Sequence, residues 1–474
     1  MPRLNQKTAS VIRSSQETLF SPFDASAFVL FRVLFGALLI IQVFFIFTSE
    51  FVNENFVQPY YHFPYTLFDV LHFQRLPPAL MHALFLIMGL AAMAITFGFF
   101  FKTASAIFFS TFLYAFLFEK SLYNDHYYII LLITFLFIFM KTPRSPRPKS
   151  FLSSPALSAS IPFWQIFILR AQFIIVYFYA AIAKLDYDWL VRAEPLHRIL
   201  SKKILFGYQL DHLGIAWFFS YGGIILDLLI VILFFWGRYQ RVAFACIIIF
   251  NLTNHWLFPD IGIFPFLMMG AIALFLKPSE IKEFLKKINI FPKAPTEPHC
   301  LEKSPPGKRE AAAGQTCVLY FIVIYLLAQF LIPLRHFVLY PGNPSWSFEG
   351  ARFSWRLKMN TKIVRYRVLV TNPHTGQTQD FTRPGTLTIR QSWLDNMPDM
   401  LLQYVHYLRD ELKSIGVHQP IITVEAEASF NGRPFQPYID SRVNLAEVNY
   451  PLFSSADWIV PQDIFRYVSK DAFF

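Results

Sequence analysis

The sequence predicts an α-helical polytopic membrane protein of about nine transmembrane helices, followed by a β-rich α+β extramembrane domain. Three observations predict it. Of 474 residues, 55% are hydrophobic, only 15% are charged and 56 are Phe, with a mean hydropathy of +0.40. That apolar excess is more than a water-soluble core needs, and it excludes a disordered chain. Apolar runs of roughly 20 residues, enough to cross about 30 Å of hydrocarbon, recur through the first 335 residues. From His336 onward the pattern changes to alternating segments punctuated by turns.

The clearest spans are Ala27–Thr48, Pro78–Phe101, Phe163–Ala183, Gly214–Trp236 and Thr316–Pro333. Shorter ones are Thr103–Phe118, His126–Met140, Arg241–Phe258 and Ile261–Leu276, the last two readable also as one re-entrant hairpin. The first run is too long for the apolar part of a cleavable signal and lacks a small-residue cleavage site behind it. A basic linker, 278–312, precedes the last span, so the division is a membrane domain 1–335 and an extramembrane domain 336–474.

Within the second domain, Val364–Thr371 and Gln379–Thr382 flank a turn through Asn372–Gly376. Ile421–Phe430 and Phe435–Ile439 flank Asn431-Gly432, a strong hairpin signal. Leu401, Val405, Leu408 and Leu412 recur at helical spacing between them. Cys246, Cys300 and Cys317 all lie outside this domain and have no metal-ligand spacing.

The formal charge of +11 and pI ≈ 9.4 would suit a nucleic-acid binder, but the basic residues are placed otherwise. With the N-terminus cytoplasmic and nine crossings, the inside segments alone carry a net +11, while the outside loops hold seven basic residues against ten acidic ones. The balance is an orientation signal. It places the C-terminal domain in the periplasm or a lumen and predicts the lipid bilayer, not nucleic acid, as partner.

Ionisable residues inside the hydrocarbon mark special positions. Arg170 precedes the outer end of its helix at Lys184 by 14 residues, roughly 21 Å. Asp227 sits about as deep on the returning helix, and Arg32 enters the first helix from the inside. These three are expected to be structural, with Arg170 and Asp227 paired and Arg32 nearby. A second set gathers at the outer ends: Lys184, then Asn124, Asp125 and His126, then Asn254 and His255. Singly, each suits an interface; a Lys at a helix end ordinarily snorkels to water. Together they suggest a base, because burial disfavours the ammonium and a neighbouring His can relay a proton.

The residues around this set carry a resemblance. Val176-Tyr177-Phe178-Tyr179-Ala180-Ala181-Ile182-Ala183-Lys184-Leu185-Asp186-Tyr187-Asp188-Trp189 resembles the signature of the vitamin K-dependent γ-glutamyl carboxylase family, whose membrane part is an HTTM-type domain. Asn124-Asp125-His126 resembles that family's Asn-Asn-His motif. Similarity continues through Trp164-Gln165, Leu169-Arg170, Gly222-Gly223, Leu226-Asp227, Asn254, Ile261-Gly262-Ile263-Phe264, Pro333–Phe337, Phe353-Ser354-Trp355 and Arg442-Val443. It covers about residues 20 to 465 and looks like a compact, prokaryotic-type member.

The resemblance implies a lyase-type enzyme that oxidises reduced vitamin K, a hydroquinone, with O2 to the epoxide. This epoxidase step is coupled to addition of CO2 to a peptide glutamate, giving γ-carboxyglutamate, with no metal. It puts the initiating base on Lys184, supported by His126, Asn124 and Asp125. Quinone-site candidates are Asn254, His255 and Tyr179; glutamate-side candidates are Asn343, Trp346, Trp355, Asn360 and Lys362. The chain departs from the family at Asp125, at Gly342-Asn343-Pro344-Ser345-Trp346 (Gly-Tyr-Asn-Asn-Trp in animal enzymes) and at Asn360-Thr361-Lys362 (His-Ser-Arg). The animal enzymes' disulfide between first loop and lumenal domain has no cysteines here. The alternatives are an epoxidase without protein carboxylation and a non-catalytic quinone-binding or transport protein. The one glycosylation sequon, Asn251-Leu252-Thr253, falls in a membrane span, which favours a bacterial inner membrane over the ER.

Overall fold

The computed structural model describes residues 16–143, 159–205, 207–235, 239–287, 308–382, 387–388 and 391–463. Cys300, most of the linker 278–312, the end of the predicted span at Trp236, and several counted charges, including Arg3, Arg144, Arg238 and Lys303, lie outside them.

The apolar runs become helices α1 (Ser26–Thr48), α2 (Pro78–Phe97), α3 (Phe101–Phe118), α4 (Asp125–Phe139) and α5 (Phe163–Ala183). Two short helices, α6 (Tyr187–Val191) and α7 (Leu196–Leu200), precede α8 (Leu213–Phe235) and α9 (Gln240–Leu257). Then come α10 (Phe264–Gly270), α11 (Pro278–Lys287) and α12 (Lys308–Leu339). Six described helices are long and apolar enough to cross a membrane: α1, α2, α3, α5, α8 and α12. A seventh results if Phe264–Leu274 and Pro278–Lys287, bent by 112°, form one span. The expected nine is therefore approximate. The reasons are local: α4 has only 15 residues, and α9 carries Gln240, Arg241, Asn251, Asn254 and His255.

The bundle is held by phenylalanines in edge-to-face contact, as where Phe28, Phe31 and Phe35 meet Phe137. The ends of the helices define two faces. On one, Asp24 pairs with Lys282, the Ala25 amide donates to the Ala159 carbonyl, and Arg241 pairs with Glu280. Gly98, left-handed at the end of α2, belongs here: a Cβ would stand 2.4 Å from an Arg32 nitrogen.

On the other face the loops after α1, α3, α5 and α9 meet the C-terminal domain. That domain is an antiparallel sheet of order β2-β1-β3-β4, formed by β1 (Lys362–Thr371), β2 (Thr378–Asp380), β3 (Ile421–Phe430) and β4 (Gln436–Ile439). Helix α13 (Pro398–Ser414) lies between β2 and β3 in sequence. Alternation decides the buried side: Ile422, Val424, Ala426, Ala428 and Phe430 join Leu401, Val405, Leu408 and Leu412 in one core. On the opposite side Arg367 pairs across the strands with Glu425.

Three polar clusters dock this domain. Asp399 accepts from Lys120 Nζ (2.7 Å) and Arg352 Nη1 (2.8 Å). Asp188 accepts from both Arg433 Nη atoms (2.5 Å each) and from Asn431 Nδ2 (2.9 Å). Buried Glu119 meets His62 Nδ1 (3.0 Å) and Gln391 Nε2 (3.1 Å).

Candidate active site

The expected pairing of Arg170 with Asp227 is not formed. Arg170 Nε donates to the Leu274 carbonyl (2.8 Å) and its guanidinium lies over Phe23 and Phe275. Arg32 Nη1 donates to Thr142 Oγ1 (2.6 Å), at the same face of the bundle. Asp227 instead accepts from Lys184 Nζ at 2.6 Å. The cause is the position of α8. Its first turns extend beyond the end of α5 and pack on the segment after Lys184, where Trp189 Nε1 donates to the Ser220 carbonyl and Ser220 Oγ donates to the Trp189 carbonyl. Asp227 therefore comes level with Lys184 rather than with Arg170.

Lys184 and Asp227 are 5% and 1% exposed, and both line a cavity of about 650 Å³ at the boundary between bundle and sheet domain. His126, Asn124 and Asp125 line it from the start of α4. The Asn124 side chain caps that helix at the His126 amide, so its local role is to set the start of α4. Asp125 accepts from the Tyr123 hydroxyl (3.1 Å), which in turn accepts from the Phe353 amide (2.7 Å). Gly262 adopts φ +60°, and a Cβ there would lie 3.3 Å from His126 Cε1. Both the backbone and the contact thus call for glycine. The cavity joins His126 to Lys184 without a hydrogen bond between them among the described residues.

Of the quinone-site candidates, Asn254 lines the cavity. His255 is exposed and packs on Phe266, and the Tyr179 hydroxyl donates to the Phe330 carbonyl. Of the glutamate-side candidates, Asn360 lines the cavity, its Nδ2 donating to the Ser345 carbonyl (3.0 Å). Asn343 caps the short helix Pro344–Ser347. Trp346 Nε1 donates to the Val460 carbonyl, and Trp355 stacks on Tyr128 in the interior. Lys362 Nζ is used three times, by the carbonyls of Trp346 and Asn396 (2.8 Å each) and by the Tyr438 hydroxyl (3.0 Å).

Two features escaped the sequence reading. Asn251, read as a sequon, donates to the Tyr177 hydroxyl (3.1 Å) on the cavity wall; its signal was the spacing Asn251, Asn254, Phe258 along one face of α9. Arg356 and Lys358 line the cavity from the sheet domain, one and three residues beyond the Trp355 motif. Lys358 pairs with Asp260, so an ion pair spans from sheet domain to bundle.

The apolar wall includes Phe218, Leu226, Ile249 and Phe250. Phe218 and Ile249 are 74% and 63% exposed, so the cavity reaches the outer apolar surface between α8 and α9. The arrangement is a buried amine–carboxylate pair and an imidazole lining one cavity, with apolar side chains from the helices and polar ones from the sheet domain. It can exchange protons with a lipid-soluble molecule while a polar one enters from the sheet domain.

Two family models match the chain. The HTTM domain model matches residues 20–279. The model "Vitamin K-dependent gamma-carboxylase, lumenal domain" matches residues 314–464. No solved structure matches the chain. This integral, multi-pass membrane protein belongs to the vitamin K-dependent gamma-carboxylase family.

Proposed function

We propose that the protein is a γ-glutamyl carboxylase that uses Lys184 to deprotonate vitamin K hydroquinone, coupling epoxide formation to carboxylation of a peptide glutamate. The observation that carries this reading is the buried Lys184–Asp227 pair on a cavity it shares with His126. The cavity fits the quinol: its volume is within the range of small-molecule sites, Phe218, Leu226, Ile249 and Phe250 give it an apolar wall segment, and Lys184, Asp227 and His126 line it too. When bound, reduced vitamin K supplies with O2 the driving force for removing the γ-proton of glutamate, and CO2 becomes the new carboxylate.

The residues have separate tasks. An amine accepts a proton only in its neutral form, yet Lys184 touches a carboxylate. In so dry a pair the one shared proton has two placements, on Lys184 Nζ or on the Asp227 carboxylate. With the proton on Asp227, Lys184 Nζ offers its lone pair to the hydroquinone hydroxyl. The ammonium formed on accepting that proton then offsets the negative charge left on the bound molecule. His126, held against Gly262, is the second proton-handling group of the wall. Phe218, Leu226, Ile249 and Phe250 hold apolar parts and exclude water.

The surface carrying Asp188, Lys120 and the sheet domain is assigned to the periplasm or lumen, with the N-terminus cytoplasmic. The basic segments of the sequence and the grouping of alternate loops on one face support this. A bacterial inner membrane fits the sequon's placement. The test is incubation of purified protein with vitamin K hydroquinone, O2, labelled bicarbonate and a glutamate peptide. The expected products are epoxide and labelled peptide; epoxide formation unchanged in Lys184→Ala overturns Lys184 as the base.

A further inference from the structure

We infer that Arg356 is the binding residue for the side-chain carboxylate of the peptide substrate, an inference that rests on the proposed carboxylase reading. The basic residue singled out in the sequence for the glutamate side, Lys362, is committed to three acceptors inside the sheet domain and does not line the cavity. Arg356 does line it, from the wall opposite the membrane helices.

The charges of the cavity sort themselves by partner. Lys184 is paired with Asp227 and Lys358 with Asp260. Arg356 is the described lysine or arginine of this lining without a salt bridge. Its Nε donates to Ser345 Oγ (3.1 Å), and among the described residues its two Nη atoms make no hydrogen bond to the protein. Asp186 acts on it electrostatically without forming an ion pair, and the Asp186 carboxylate is used to cap the turn at the Asp188 amide (3.0 Å).

A guanidinium fixed through Nε and open through both Nη atoms presents the two-point edge that matches a carboxylate. Desolvated on the cavity wall, it has no ion-pair partner among the described residues, and the reaction brings a carboxylate. Ser345 and Asn360 hold the loop around it, Asn360 by its bond to the Ser345 carbonyl. Phe353, Trp355 and Lys358 all have positive φ (65°, 55° and 50°), so the backbone around Arg356 is held in conformations that non-glycine residues seldom adopt. Such expense in one loop is accounted for if it aims a binding group.

The test uses the full-length protein in detergent without quinol, so that nothing turns over. Fluorescence anisotropy compares a labelled peptide bearing one central glutamate with the same peptide bearing glutamine. The wild type is expected to prefer glutamate by at least about tenfold, as a charge-assisted bond should. Arg356→Gln should bring the ratio close to one, and Arg356→Lys, which keeps the charge but loses the two-point contact, should fall between. Wild-type protein that does not discriminate overturns the inference whether or not the variants fold. So does a ratio unchanged in Arg356→Gln. Epoxide and labelled-peptide formation by wild type given vitamin K hydroquinone, O2, labelled bicarbonate and the glutamate peptide are measured in parallel: absence of both sinks the carboxylase reading, whereas their presence with no peptide discrimination sinks only the role of Arg356.

Discussion

Lys184 is placed where its charge has a single carboxylate to answer it, and the consequence is measurable in stability. Removing one partner strands the other charge in the interior and should cost about 3–5 kcal/mol in either Lys184→Met or Asp227→Leu. The double variant, apolar at both positions, should recover most of that loss. Thermal unfolding of the three proteins decides it; a double variant as unstable as the sum of the singles would mean the two residues are not coupled. A second residue-scale prediction concerns Gly262. Alanine there meets both the φ of +60° and the His126 ring at 3.3 Å. It should destabilise by about 1–3 kcal/mol and displace His126, so that epoxide formation falls more than stability accounts for. At this scale the sequence was legible only in part. Lys184 and His126 are marked by their common depth at outer helix ends and by the family resemblance, and both line one cavity. Asp227 was found but given the wrong partner, since equal residue counts from helix ends assume that α5 and α8 end at one level, and α8 overshoots. Arg356 has no periodic or compositional mark; only the closing of the sheet domain over the bundle makes it a cavity residue.

Elements were far easier to read than the contacts between them. Long apolar runs cannot avoid becoming α1, α2, α5, α8 and α12, and strict alternation with Asn-Gly punctuation yields β3 and β4. Helix α10 was not legible as a short helix running into a 3-10 turn at Ala271–Leu274, because an apolar run does not say where it bends. Docking of the first loop was also hidden. With no cysteine available there, contacts such as Tyr61 against Tyr407 (ring centres 4.4 Å apart) and Glu119 with His62 and Gln391 hold it to the sheet domain. Asp399 makes a testable joint of the same kind. Burial alone would raise its carboxyl, but Arg352 and Lys120 override that and hold it well below the usual carboxylate range. A depressed value means the joint is at full strength above the ordinary carboxylate pKa, near 4, and is lost as pH falls through the folded one. Sheet-domain docking, followed by tryptophan fluorescence, should be flat from about pH 8 to 5 and weaken below about pH 4. Asp399→Asn should lose about 3–5 kcal/mol already at neutral pH and show little further acid dependence from this joint.

Across the whole molecule, the basic residues and the docked domain divide the protein into two faces, and the proposed chemistry depends on which face meets which compartment. Single cysteines introduced at Gly376, in the β1–β2 turn, and at Lys102, at the start of α3, should separate the faces in a cysteine-free background. An impermeant maleimide applied to intact cells should label Gly376→Cys and not Lys102→Cys; the reverse pattern contradicts the orientation. The central claim, that the Lys184–Asp227 pair starts vitamin K chemistry, has a more direct test. Purified wild type and the Lys184→Met/Asp227→Leu double variant, the latter shown to be folded, are given vitamin K hydroquinone, O2, bicarbonate and a glutamate peptide, and epoxide is measured. The account predicts epoxide from the wild type and a loss of at least about 10²-fold in the double variant. A folded double variant that makes epoxide at the wild-type rate, or a wild type that makes none, would contradict it.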